Sequence, residues 1–129
     1  MLRTYSKNIT VSANSAIPFN VDKIDVGNSV EHSNPSSIVI KKPGYYKVNF
    51  DASITGAAAT ATIQLYADGV AIPDAVIIQT LVADSNSNVS FSTILRARPG
   101  AFDDDVTLTI VPNADLTITS TAFGINKVA

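Results

Sequence analysis

Few residues of this 129-residue chain could do chemistry, and the first of them is its single histidine. His32 stands beside Glu31, with Ser29, Ser33, Ser36 and Ser37 close in sequence, so the residue types of a serine-histidine-acid hydrolase are all present. Their spacing opposes that chemistry. Neighbours on a strand point to opposite faces, which parts Glu31 from His32, and no Gly-x-Ser-x-Gly elbow presents a serine. A hydrolase centred on His32 is the least favoured reading, against a histidine in a loop or at a strand edge.

Asp103, Asp104 and Asp105 form the sharpest charge feature, set between Pro99-Gly100 and Val106. Three carboxylates in one loop are candidate Ca²⁺ ligands, since calcium gathers about six to eight oxygens. Consecutive aspartates do not all converge on one ion unaided, and the full EF-hand spacing is absent. The missing oxygens would have to come from elsewhere; the alternative is a solvated acidic loop. No other cofactor is expected, because phosphate loops, dinucleotide fingerprints and zinc spacings are missing. The chain has no cysteine, which excludes disulfides, a thiol nucleophile and any cysteine-ligated metal. Asn8-Ile9-Thr10 and Asn88-Val89-Ser90 match the glycosylation sequon, a match that arises readily by chance in so Ser-, Thr- and Asn-rich a chain.

The remaining candidates are aromatic. "KKPGYYKVNF", Lys41 to Phe50, places three of the nine aromatic residues within six positions behind a Pro-Gly turn. Tyr46, Val48, Phe50, Ala52 and Ile54 alternate with Tyr45, Lys47, Asn49, Asp51 and Ser53, giving an apolar face and a polar face on which Tyr45 is the exception. Tyr66, opposite Leu65, and Phe123, with Ile125 on the same parity, raise the same question. A tyrosine on a polar face serves as a sugar platform or as a protein contact, because its ring is apolar and its hydroxyl remains satisfied.

The elements that position these residues read as strands. The chain is 46% hydrophobic but only 16% charged, with Ser, Thr and Asn in place of Lys and Glu, the composition of β-structure with a weakly charged surface. Such a surface is poorly defended against self-association, which favours burying part of it in an oligomer. Alternation of period two runs over Asn8 to Ala13, Ile17 to Val21, Ser36 to Ile40, Tyr45 to Ile54, Ala61 to Ala67, Asn88 to Ala97, Val106 to Val111 and Leu116 to Val128. Pro73 to Val82 reads equally as a helix opened by proline or as a strand. Turn signals separate the runs, among them Asp68-Gly69, which suits a tight hairpin. Eight or nine short strands with apolar faces need a second sheet to cover them, so the expected fold is all-β, a two-sheet antiparallel sandwich or jelly roll.

The expected core is Ile38, Ile40, Tyr46, Val48, Phe50, Ile63, Leu65, Val89, Phe91, Leu95, Val106, Leu108, Ile110, Leu116 and Ile118. In the last run Leu116 and Ile118 share one parity and Phe123 and Ile125 the other. Either the phase slips near Ser120 to Ala122 through a bulge, or both faces are buried, the second against a partner. One domain is expected over 8–129, preceded by a short arm over 1–7. Nine Lys and Arg stand against 11 Asp and Glu, with no basic run longer than Lys41-Lys42, so no nucleic-acid footprint is seen. No membrane contact is expected, since no apolar run reaches the roughly 18 residues of a span. Met1 to Lys7 lacks the apolar core of a signal peptide, and export by the general secretory route is not expected.

Five segments taken in order resemble a known family. They are "IPFNV" (Ile17 to Val21), "KPGYYKVNFDASI" (Lys42 to Ile54), "ATIQLYADGVAIPDA" (Ala61 to Ala75), "VSFSTILRARPG" (Val89 to Gly100) and "LTIVPNADLTITSTAFGINKV" (Leu108 to Val128). Together they are similar to the bacterial and bacteriophage branch of the C1q/TNF-like jelly-roll family. The resemblance implies about ten strands in two sheets and a tight homotrimer around a threefold axis, a non-enzymatic structural or binding module. Tyr45, Tyr66, Phe123 and Ile125 then become candidate trimer-interface residues. It further implies a phage or prophage virion component, with phage capsid or tail proteins or a host surface receptor as partners. The alternatives are a trimeric head on a spore or bacterial cell surface and, in another class, a carbohydrate-binding domain. No Gly-X-Y stalk is present, which counts against the head of a collagen-like filament. Many relatives carry cysteines where this chain reads "PGAFDDD", so no disulfide or metal role of that loop carries over.

Overall fold

The computed structural model describes residues 1–27, 29–56, 60–81, 85–97 and 106–128, with the side chains of Ser33 and Ala97 left aside. Ten strands cover most of them: β1 (Leu2–Val11), β2 (Val21–Asp25), β3 (Val30–Asn34), β4 (Ser37–Ile40), β5 (Gly44–Thr55), β6 (Thr60–Ala67), β7 (Val70–Thr80), β8 (Ser87–Ala97), β9 (Val106–Pro112) and β10 (Leu116–Lys127). They form two five-stranded sheets, in the orders β2-β1-β10-β5-β8 and β3-β4-β9-β6-β7, paired antiparallel throughout. This is the expected two-sheet antiparallel jelly roll. The strands beyond those read from alternation are β7, left open between helix and strand, and the short edge strands β2 and β3, while the expected run Ile17 to Val21 forms no strand before Val21. β2 is exposed at four of its five positions, so it carries no apolar period.

β5 shows how sequence becomes layer. Its alternation buries Tyr46, Val48, Phe50, Ala52 and Ile54, and it lies between β10 and β8. Phe50 stacks on its cross-strand neighbour Phe91 at 5.3 Å and meets Phe19 edge-on at 6.3 Å, and Phe19 in turn lies 5.4 Å from Phe123. Phe19 arrives on the 12–20 segment, which crosses between the sheets: Ile17 N–H donates to the Ile110 carbonyl and Phe19 N–H to that of Pro35, both at 2.8 Å. Asp68-Gly69 closes the β6–β7 hairpin with φ of 50° and 81°, the two positive angles of a type I′ turn. Every residue of the expected core is buried except Val106, which is half-buried against it.

One expectation is corrected and two open ones are resolved. The segment 1–7 is no arm: it is most of β1, paired on one side with β10 and on the other with β2. Pro73 to Val82 opens no helix, for Pro73 sits within β7. The third concerns β10, whose phase slips at Thr119, just ahead of the expected place, where its register to β5 shifts between Ile118 and Ser120. β1 slips at the position opposite, since Asn8 has φ of 52° and the buried set changes there from Leu2, Thr4 and Ser6 to Val11. The two strands bulge together and keep their mutual register, so Phe123 and Ile125 return to the same core as Leu116 and Ile118.

Candidate functional site

The outer face of the β2-β1-β10-β5-β8 sheet is hollowed where its strands bulge. Cross-strand pairing lines up Val21, Tyr5, Ala122, Asp51 and Ser90 in one row and Lys7, Ser120, Ser53 and Asn88 in the next. The coincident bulges in β1 and β10 and a register shift in β2 curl the sheet here. The result is a concavity of about 810 Å³. Its β1–β2 side carries Arg3, Lys7 and Lys23 with Asp22, while the floor is mostly small and polar and includes Asp51. Beneath it, buried hydroxyls hold the curl. Thr4 donates to the Val21 carbonyl at 2.7 Å, and Thr121 to that of Asp51 at 2.9 Å. Ser6 donates to the Pro18 carbonyl and accepts from Asn20 N–H, both at 2.8 Å.

At the far side of the sandwich the edge strands of the two sheets, β7 and β8, pack together. Ile78, paired with Thr62 on the outer face of the second sheet, is 70% exposed, and Ile94, paired with Lys47 on the outer face of the first, is 61% exposed. β7 carries a wide bulge: Gln64 pairs with Val76 while Tyr66 pairs with Ala71. The Gln64 amide fills it, donating to the carbonyls of Ile72 at 2.6 Å and Ala75 at 3.2 Å. Asp74, carried on that bulge, accepts from the buried Thr93 hydroxyl of β8 at 2.7 Å, tying one sheet to the other.

The residues expected between subunits separate. Tyr45 lies on the outer face of the first sheet, 45% exposed, with the Arg96 guanidinium 5.7 Å from its ring centroid. Such a cation–π contact contributes about 0.5–1 kcal/mol at an exposed site. Tyr66 is half-buried on the outer face of the second sheet, between Thr109 of β9 and Ala71 of β7. Phe123 and Ile125 are 1% exposed within the chain, which leaves them no surface for a partner; their place is in the core.

His32 pairs with neither Glu31 nor a serine. Its Nδ1 meets the Asp22 carboxylate of β2 and its Nε2 lies 3.2 Å from the Pro35 carbonyl, whereas Glu31 pairs with Lys41 at 3.1 Å. Asp22, ten residues away and on the other sheet, was not legible as its partner. No nucleophile approaches the ring among the described residues. Asp103, Asp104 and Asp105 lie outside the described residues, and no group of three or more metal-ligating side chains occurs among those described. Burial pushes the Tyr46 phenol up, partly countered by a hydrogen bond with Ser29. Its hydroxyl donates to the Lys42 carbonyl at 2.7 Å.

No family model matches the chain, and no curated protein is matched by its sequence. Its fold has clear counterparts. The globular domain of zebrafish complement 1qA protein is 14% identical, with a TM-score of 0.78 over 99% of this chain and 96% of that one. The Eiger TNF structure from S. frugiperda is 10% identical, with a TM-score of 0.76 over 99% and 92%. The PRD1 vertex protein P5 is 13% identical, with a TM-score of 0.59 over 97% and 96%. The likeness is one of fold, and it defines the architecture as a C1q/TNF-like jelly roll. No helix is long and apolar enough to cross a membrane among the described residues.

Proposed function

We propose that this chain is a non-enzymatic structural and binding module that closes into a homotrimer. Its place would be on a phage or prophage virion, as a decoration, head-fibre or receptor-binding component. The observation that carries the trimer is the presence of two unlike surfaces on one protomer, the outer face of the first sheet with its concavity and the outer face of the second with exposed Ile78. A ring of copies is heterologous, each contact joining two different patches, and a chain with both patches closes head to tail. Tyr45 then belongs to the first patch and Tyr66, beside β7, to the second. Ile94, on the same face as Tyr45, gives the first patch an apolar anchor, and Ile78 gives one to the second. The resemblance of the five sequence segments supports the same state.

The likeness of fold to PRD1 vertex protein P5 supports the virion reading. Phage capsid or tail proteins, or a host surface receptor, would then be the partners. Light scattering at micromolar concentration tests the assembly: a mass three times the 13.5 kDa of one chain is expected, and a monomer contradicts it. Flanking genes test the setting. Capsid, portal or tail genes are expected; sporulation genes would move the module to a spore surface.

A further inference from the structure

β1 lines the concavity with three side chains that the assembly reading leaves without a role. Arg3, Tyr5 and Lys7 alternate with buried Thr4 and Ser6, so all three stand on the outer face, at the spacing of about 7 Å between every second strand residue. Arg3 and Lys7 are exposed, and Tyr5 is half-buried between them. Lys23 of β2 adds a third cation to the same wall. None of the three cations has a carboxylate partner among the described residues, where the ion pairs are Asp22 with His32 and Glu31 with Lys41. Asp22, which shares the wall, is thus engaged by the other sheet. Gly124 leaves room for Arg3 to lie over β10: its Nη1 is 3.6 Å from where a Cβ on that glycine would stand.

The facing wall differs in kind. Ser53 of β5 and Asn88 and Ser90 of β8 present hydroxyls and an amide, with Asp51 the acid among them. We propose that the cleft binds an acidic oligosaccharide: its anionic groups meet Arg3, Lys7 and Lys23, a sugar ring lies on Tyr5, and its hydroxyls meet the β5–β8 wall. Guanidinium and ammonium groups take anions, whereas Asp51 repels them and accepts from a hydroxyl, which sets the direction in which the sugar lies. The Tyr5 ring offers an apolar platform. A cavity of about 810 Å³ has the size of a small-ligand site. Nucleic acid fits less well. Duplex DNA carries a charge every ~1.7 Å and single strands stack on successive aromatics, while this cleft offers three cations and one ring. The site deepens the receptor-binding reading and rests on it, but not on the trimer: Tyr45 and Ile94 lie near the Gly44–Ala97 end of the β5–β8 pair, and Ser53 and Asn88 near the other.

The test applies the full-length chain to an array of uronate-bearing, sialylated, sulfated, phosphorylated and neutral oligosaccharides, with single-stranded DNA beside them. The best binder is then titrated by calorimetry. Binding confined to the acidic glycans and weakened by salt is expected. Arg3→Gln and Lys7→Gln should each weaken it about tenfold, the loss of one charge-assisted contact. Tyr5→Ala should weaken it as well, while Tyr5→Phe retains it, because the ring carries the contact; the phenylalanine variant keeps the result readable if the alanine variant unfolds. Lys47→Gln, on the same face but outside the cleft, should bind as the unaltered chain does. Preference for neutral sugars, equal binding of DNA, equal losses in Lys47→Gln and Arg3→Gln, or no binding to the array overturns the inference. Sedimentation in parallel separates the readings: a monomer that binds acidic glycans overturns the trimer alone, and a trimer that binds none overturns the site alone.

Discussion

Tyr45 and Tyr46 are neighbours in sequence with opposite fates, because adjacent strand residues face opposite sides of the sheet. Tyr46 is fully buried and its phenol is pushed up by desolvation. Its folded pKa lies above its unfolded one, so the neutral form is favoured in the fold. The contribution is complete below the ordinary tyrosine range near pH 10 and is lost as pH rises through the raised folded pKa. Tyr46→Phe should cost about 1 kcal/mol at pH 7, from the bond to Lys42, and should remove part of the alkaline loss of stability seen in melts above pH 10. Phe50→Ala should cost about 3–5 kcal/mol by chemical denaturation, since the ring fills the space between Phe19 and Phe91. At this scale the sequence was readable wherever the inner face is apolar. It was not readable in β1, whose inner face is Leu2, Thr4 and Ser6: the hydroxyls there are buried because backbone groups of the 18–21 segment satisfy them, which hydropathy does not register.

Among the elements, turns and bulges decide the outcome. The β6–β7 hairpin was legible in Asp68-Gly69, and Gly69→Ala tests it cleanly. A Cβ there meets nothing within 4 Å, so the expected cost of about 1–2 kcal/mol is that of the left-handed backbone alone. The β7 bulge was not legible, because it depends on a side chain of another strand. Gln64→Leu would leave the Ile72 and Ala75 carbonyls without their donor and should cost about 1–3 kcal/mol in denaturant melts. The phase slip of β10 was visible in the parity of Phe123 and Ile125, but choosing between a bulge and a partner-covered face needed the matching irregularity at Asn8. That choice moved both residues from the interface to the core. His32 shows the same limit: its neighbour in sequence pairs elsewhere, and its partner comes from a different sheet.

For the whole molecule, two unlike surfaces on one sandwich set the expectation of a closed ring. Tyr45→Glu and Ile94→Lys should each weaken assembly by at least tenfold in sedimentation while shifting the denaturation midpoint of the single chain little, because an unpaired charge is costly only where a partner desolvates it. The weakly charged composition carries the expectation of self-association, and exposed Ile94 and Ile78 on the two outer faces became visible only with the strand pairing. Calcium, proposed for the acidic loop by its three aspartates alone, is tested separately. Millimolar Ca²⁺ should leave the melting temperature unchanged, and a rise would assign Asp103, Asp104 and Asp105 a ligand role. The central claim is the trimer, and the mass of the intact chain in solution tests it most directly. Light scattering at micromolar concentration should return three times 13.5 kDa, falling toward 13.5 kDa for Ile94→Lys. A monomer mass for the unaltered chain would contradict the account.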